Sequence, residues 1–236
     1  LSHKNKSKFE KLRSVEEVID SEALLSESVL DFLFWSSKYY HHPIGEVLSN
    51  AIPKNLRLGK PAVIKKLSEI KNSIAPTILS LTSEQEDAVA EIINYKDSFN
   101  GFLLHGVTGS GKTEVYLRVT EKLLEEGKQV LVLVPEIGLT PQMIDRFGKR
   151  VNGRVVAVHS QLNETQKQDA YLMAKSGEAK VVLGTRSAIF TSLPNLGLII
   201  VDEEHDGSFK QQSNFRYSAR DLSFIRAKLA NIPLIL

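Results

Sequence analysis

The sequence predicts an α/β fold: a parallel sheet covered by helices on both faces, preceded by a small, mainly helical segment. Three observations predict it. Gly106–Thr113 reads GVTGSGKT, with the apolar run Phe102-Leu103-Leu104 before it and a helix-forming run from Thr113 after it. Short apolar runs then alternate with amphipathic stretches, as in a doubly wound sheet. Leu198–Val201 is a further apolar run that ends in Asp202-Glu203-Glu204-His205. In such sheets ligands sit at the carboxyl ends of the strands.

The elements follow in order. Residues 1–13 are polar and basic and read as a frayed edge; the first residue is Leu, which suggests a piece of a longer chain. Ser14–Asp20 reads as a strand end or a short helix. Ser28 with Asp31 reads as the cap of a helix to about His41, apolar nearly all round. Pro43 starts a second helix, with Ile44, Val47, Leu48, Ala51 and Ile52 on one face, and Pro53 stops it. His41 and His42 diverge by ~100° on a helix, which argues against a shared metal and for surface or packing roles. Residues 61–80 read as a linker with helix over Ala62–Asn72.

Ser83 and Glu86 read as the capping box of a helix to about Asn94. After the glycine-rich loop come a strand at Val130–Val134, a helix from Thr140-Pro141 to about Lys149 and a strand at Val155–Val158. A helix over Asn163–Ser176, closed by Gly177, leads to strands at Val181–Leu183 and Leu198–Val201. A helix over Ser218–Ala230, capped by Ser218 with Asp221, leads to a last strand at Ile232–Leu236. The predicted division is a helical region over 1–60, a linker over 61–80 and an α/β unit over 81–236.

Composition narrows the class. The chain has 236 residues, 42% of them apolar and 25% charged, as in an ordinary globular protein. It has no cysteine, which removes disulfides and Cys-ligated zinc from this chain and fits a reducing cytoplasm. Neither a signal peptide nor an apolar run of membrane-spanning length is present, so no membrane partner is expected. Net charge is +2, so polyanion binding must come from a local patch.

The chemistry lies in two places. The loop matches G-x-x-x-x-G-K-[ST], whose backbone N–H groups cradle phosphate oxygens. Gly106, Val107, Thr108, Gly109, Ser110, Gly111, Lys112 and Thr113 form it. Lys112 brings a positive charge to the β- and γ-phosphates, and Thr113 offers a hydroxyl to Mg²⁺. Asp202 suits a direct or water-mediated ligand of Mg²⁺ opposite Thr113, and Glu203 suits deprotonation of the attacking water. Together they point to Mg²⁺ and to nucleoside triphosphate hydrolysis. Gln85, at a helix start, has an amide that both donates and accepts and so suits adenine. Phe209, Lys210, Phe215, Arg216 and Tyr217 combine rings for stacking on bases with cations for phosphates; a loop packed into the sheet edge is the alternative.

Asp202-Glu203-Glu204-His205 resembles the DEAH box of superfamily 2 helicases and translocases. Pro135–Gln142 (PEIGLTPQ), Gly184–Phe190 (GTRSAIF), Asp202–Gln211 (DEEHDGSFKQ) and Phe215–Leu222 (FRYSARDL) together resemble the replication-restart helicases of the PriA family. Trp35, Tyr39–Leu48 (YYHHPIGEVL) and Ala51–Pro53 resemble the segment just after that family's 3′-end DNA-binding domain. The resemblance implies a RecA-like P-loop NTPase lobe of an ATP-dependent 3′→5′ DNA helicase. It implies Gln85 at the adenine, Lys112, Asp202 and Glu203 in catalysis, and His205 coupling nucleotide state to DNA. It places Pro135, Thr140, Gln142, Thr185, Arg186, Phe209, Lys210, Arg216 and Tyr217 at DNA, with forked and single-stranded DNA, primosome proteins and single-strand-binding protein as partners. The family's winged-helix domain, second motor lobe with its arginine finger, and zinc-binding cysteines have no counterpart here; zinc belongs to the full-length family and not to this chain. The piece alone is therefore expected to bind nucleotide weakly and hydrolyse it poorly. A double-stranded DNA translocase and a non-catalytic fork-binding module are the rival readings.

Overall fold

A computed structural model describes residues 14, 17–20, 22–64, 80–107 and 109–236. The predicted linker helix falls almost wholly outside these residues, as do residues 1–13 and Thr108; the described part of it, 62–64, is irregular. Six parallel strands form one sheet in the order β1-β6-β5-β2-β4-β3. They are β1 (Gly101–Phe102), β2 (Gln129–Leu133), β3 (Arg154–Val158), β4 (Ala179–Gly184), β5 (Leu196–Val201) and β6 (Leu234–Ile235). The helices are α1 (Glu27–Tyr39), α2 (Ile44–Ala51), α3 (Lys54–Arg57), α4 (Ser83–Asn94), α5 (Lys112–Glu125), α6 (Pro141–Arg150), α7 (Glu164–Lys175) and α8 (Ala219–Ala230).

Strand alternation splits the core in two. Val130, Val132, Val181, Leu183, Leu198 and Ile200 face α4, α5 and α6. Leu131, Leu133, Val182, Ile199 and Val201 face α1, α2, α7 and α8. Strands covered on both faces read as continuous apolar runs, which makes them legible in sequence. The first two helices are not a detached unit: Val29, Phe32 and Leu33 of α1 and Val47 and Ala51 of α2 belong to the same core as the sheet. Tyr171 of α7 donates its hydroxyl hydrogen to the Leu24 carbonyl at 2.6 Å, adding a polar tie.

Caps set several boundaries. Ser26, not Ser28, caps α1, accepting from the Val29 N–H. Thr82, not Ser83, caps α4, and Gln85 rather than Glu86 completes its box. Ser218 caps α8 as predicted, and Thr140 and Asn163 cap α6 and α7. Two buried polar side chains brace connections. Gln129 donates to the Ala174 and Ala179 carbonyls at 2.9 and 2.7 Å and accepts from the Asn195 N–H at 3.1 Å. Arg226 donates to the Ile189 and Thr191 carbonyls over the 3₁₀ turn Arg186–Phe190. Burial pulls its guanidinium down to about 10, so it remains a cation at neutral pH.

Gly184 closes β4 where the chain turns into that 3₁₀ segment. A Cβ there would lie 2.3 Å from Ala188 Cβ and 2.7 Å from the Val158 carbonyl oxygen. Backbone cannot yield as a flexible side chain does, so Gly184→Ala is expected to lower stability by ~1–3 kcal/mol. Thermal unfolding beside the parent checks this; an unchanged Tm would refute the tight contact.

Candidate functional site

The glycine-rich loop connects β1 to α5. The β1–β6 pairing continues past the strands, with Leu236 N–H bonded to the Phe102 carbonyl and Leu104 N–H to the Leu236 carbonyl, both at 2.8 Å. The loop then turns through Gly109 (φ +85) and Gly111 (φ +86), left-handed backbone that glycine adopts without penalty. A Cβ on Gly111 would meet Gln85 Nε2 at 2.4 Å. Gln85 itself ties α4 to the loop: its Oε1 accepts from Thr82 N–H and its Nε2 donates to the Ser110 carbonyl, both at 3.0 Å. Lys112 arches over the loop, donating to the Gly106 carbonyl at 2.9 Å.

The acid-tipped strand faces this loop. Asp202 N–H bonds the Leu133 carbonyl at 2.9 Å, carrying the β5–β2 pairing to the carboxyl edge. Asp202 Oδ1 accepts from the Tyr116 hydroxyl at 3.2 Å, and Tyr116 lies one helical turn after Lys112 on α5. Glu203 adopts a left-handed φ of +50, a conformation that costs a non-glycine residue ~1 kcal/mol. Its Oε1 stands 3.6 Å from Lys112 Nζ, and its Oε2 stands 3.7 Å from Nε2 of the exposed His205. Gly109, Gly111, Lys112, Thr113, Asp202 and Glu203 line one cleft of ≈ 670 Å³.

Electrostatics mark the acid. Burial holds the Asp202 carboxyl above the usual range, and the Glu203 charge adds to this, while the Tyr116 hydroxyl and Lys112 oppose it. Burial also raises the Tyr116 phenol, so it stays a donor. The Thr113 hydroxyl and the Asp202 carboxylate bring hard oxygens to one cleft, which fits a divalent cation, and Lys112 brings a positive charge, which fits a triphosphate. No cluster of three or more His, Cys, Asp or Glu occurs among the described residues, so protein ligands alone build no all-protein metal cage there.

The remaining candidates separate. Pro135 is buried, and Thr140 turns its hydroxyl to the Met143 N–H at 3.2 Å. Gln142 is exposed but lines the cleft of Lys112 and Glu203. Thr185 is buried. Arg186 donates to the Ser208 and Lys210 carbonyls, at 2.8 and 3.0 Å, and so holds the following loop instead of facing outward. Phe209 and Tyr217 are 2% and 5% exposed, which corrects the expectation that their rings stack on bases in this conformation. They belong with Phe215 to the core shared with α1, because ring burial outweighs exposure when a partner face is available. Lys210 and Arg216 stay exposed on the same loop.

Two features escaped sequence reasoning. Arg150, at the end of α6, donates twice to Glu114 at 2.9 Å and to Glu121 at 3.1 and 3.3 Å, clamping α6 to the helix that begins with Lys112. A groove of ≈ 320 Å³ runs between α2–α3 and the carboxyl ends of β3 and β4, lined by Lys54, Arg57, Lys167, His159, Ser160 and Ser187. Pairs separated by 36 residues in sequence, as Glu114 and Arg150 are, leave no local pattern to read.

Residues 82–232 match the DEAD/DEAH box helicase family. The chain belongs to the DEAD/DEAH box helicase family. Residues 1–53 match the 3′ DNA-binding domain of PriA, so the segment read as following that domain lies within it. The chain is 35% identical to the replication restart protein PriA of Haemophilus influenzae, over 96% of this chain and 41% of that protein. It is 36% identical to PriA of Rickettsia prowazekii, over 98% of this chain and 34% of that protein. The chain thus spans well under half the length of these relatives. The Haemophilus match extends over 300 positions, more than the whole chain, so that relative carries residues without counterpart here. The rickettsial match runs over 230 positions and leaves no room for such an insertion. Among solved structures, RecG bound to a three-way DNA junction superposes with a TM-score of 0.50 at 22% identity, over 88% of this chain and 26% of that one. That likeness concerns the fold alone. No described helix is long and apolar enough to cross a membrane.

Proposed function

We propose that this chain is the nucleotide-binding first motor lobe, with adjoining 3′-end DNA-binding residues, of an ATP-dependent 3′→5′ DNA helicase for primosome assembly and restart of stalled forks. The observation that carries it is the meeting of Lys112, Asp202 and Glu203 at one cleft, with Lys112 Nζ 3.6 Å from the Glu203 carboxylate. The loop N–H groups and Lys112 bind and orient the triphosphate. Thr113 and Asp202 would hold Mg²⁺, which would neutralise charge on the triphosphate. Glu203 orients the attacking water and takes its proton. The Tyr116 hydroxyl keeps Asp202 pointed into the cleft. Gln85 presents the N–H left over from its two bonds to the base. His205 sits beside Glu203 at the exposed rim, suited to relaying DNA state.

The DNA side rests on the match to a 3′ DNA-binding domain and on exposed cations of α3 and of the 208–218 loop. Lys54, Arg57, Lys210 and Arg216 are all exposed. Lys54→Ala and Arg57→Ala are expected to weaken single-stranded DNA binding and to reduce the salt slope by ~0.7 for each phosphate no longer neutralised. Fluorescence anisotropy across a salt series measures both; unchanged slopes would place the strand elsewhere. Other primosome proteins and single-strand-binding protein are the proposed protein partners. Strand displacement on a forked duplex by the protein that carries this chain tests the reading. ATP-driven unwinding supports it. Movement without displacement assigns a double-stranded DNA translocase, and no phosphate release assigns a docking module.

A further inference from the structure

The turn between α1 and α2 holds the loop that follows the acid box. Tyr40 Oη accepts the Ser218 N–H at 3.2 Å, and His42 Nε2 accepts the Arg216 N–H at 3.3 Å. Because Nε2 accepts, the proton sits on Nδ1, which faces Glu46 Oε2 at 3.2 Å and so fixes the ring. Both rings also meet Phe215 edge-on, Tyr40 at 5.9 Å and His42 at 5.2 Å between centroids. From the other side Arg186 grips the carbonyls of Ser208 and Lys210. Ser218 caps α8, and two residues on Arg220 pairs with Glu204 at 3.0 Å, beside the Glu203 that faces Lys112. Tyr40 and His42 lie inside the 3′ DNA-binding match over residues 1–53. A continuous set of contacts therefore runs from that module to the acid box, and neither residue touches the cleft.

We propose that Tyr40 and His42 are positioning residues through which DNA held by residues 1–53 sets the 208–218 loop and, through Arg220 and Glu204, the Glu203 carboxylate. This rests on the hydrolytic reading above. The two contacts are directional and made to main chain, so a shift of the α1–α2 turn moves the loop without any change in the loop's own sequence. The 208–218 loop is held from outside at few polar points, by Arg186 on one side and by this turn on the other, so a shift of the turn reaches it directly.

The test uses the protein that carries this chain, with Tyr40→Phe, His42→Leu and the double variant. ATP hydrolysis is measured alone, with a partial duplex bearing a free recessed 3′ end, and with the same duplex blocked at that end. The parent is expected to respond more to the free end than to the blocked one. In Tyr40→Phe/His42→Leu this difference should shrink by at least ~5-fold, the lower end of ordinary coupling between sites. Basal turnover, the KM for ATP and DNA affinity should stay at parent values, and His42→Gln, which keeps an acceptor, should restore part of the response. An undiminished response in the double variant overturns the proposal. So does a fall in basal turnover and Tm in proportion to the response, which marks a merely structural role. A parent that releases no phosphate under any condition overturns the hydrolytic reading itself.

Discussion

Glu203→Gln is expected to leave Mg²⁺-nucleotide binding intact and to lower turnover ~10²–10⁴-fold, the ordinary contribution of a positioned general base. The geometry behind this is specific. The left-handed backbone at Glu203 turns the carboxylate back toward the loop, where it stands 3.6 Å from Lys112. Gln preserves size and hydrogen bonding but cannot accept a proton. Titration with a fluorescent ATP analogue separates binding from single-turnover hydrolysis. Unchanged turnover would move the base to another residue, with His205, 3.7 Å from Glu203, the first to test.

Lys112→Ala is expected to weaken nucleotide binding by ~10²-fold or more, since a charge-assisted contact contributes ~1.5–3 kcal/mol and its removal leaves phosphate charge uncompensated. The loop should survive, because Gly109 and Gly111 set its turn and Gln85 fastens it through the Ser110 carbonyl. The fluorescent analogue should no longer saturate, while Tm without nucleotide stays near the parent's. Equal affinity would place the triphosphate away from the loop. The two substitutions thus fail differently, one in binding and one in chemistry, and that contrast is the signature of a single site built from two distant strands.

What is legible in the sequence follows from how each signal is encoded. The sheet shows itself through apolar runs such as 130–134 and 198–201, because strands covered on both faces carry no polar alternation. The cleft shows itself through glycine spacing and an acid-tipped strand, both local in sequence. The 208–218 loop misleads because rings and cations suit a base platform and a buried edge alike; only the presence of α1 decides, and it comes from 170 or more residues upstream, as the Tyr40–Ser218 and His42–Arg216 pairs show. The Gln85 amide looks free in the sequence, yet Thr82, one residue before the expected cap, draws it into a capping box. Arg150 and Glu114 pair beside the cleft through two contacts at 2.9 Å, and no spacing rule links the end of one helix to the start of another.

Whether the glycine loop and the acid-tipped strand grip one magnesium triphosphate is tested most directly by a crystal structure with a non-hydrolysable ATP analogue and Mg²⁺. Lys112 is expected on the β- and γ-phosphates, the metal between Thr113 and Asp202, and a water between Glu203 and the γ-phosphorus. Nucleotide bound elsewhere, or a metal that Asp202 does not approach, would contradict that shared grip.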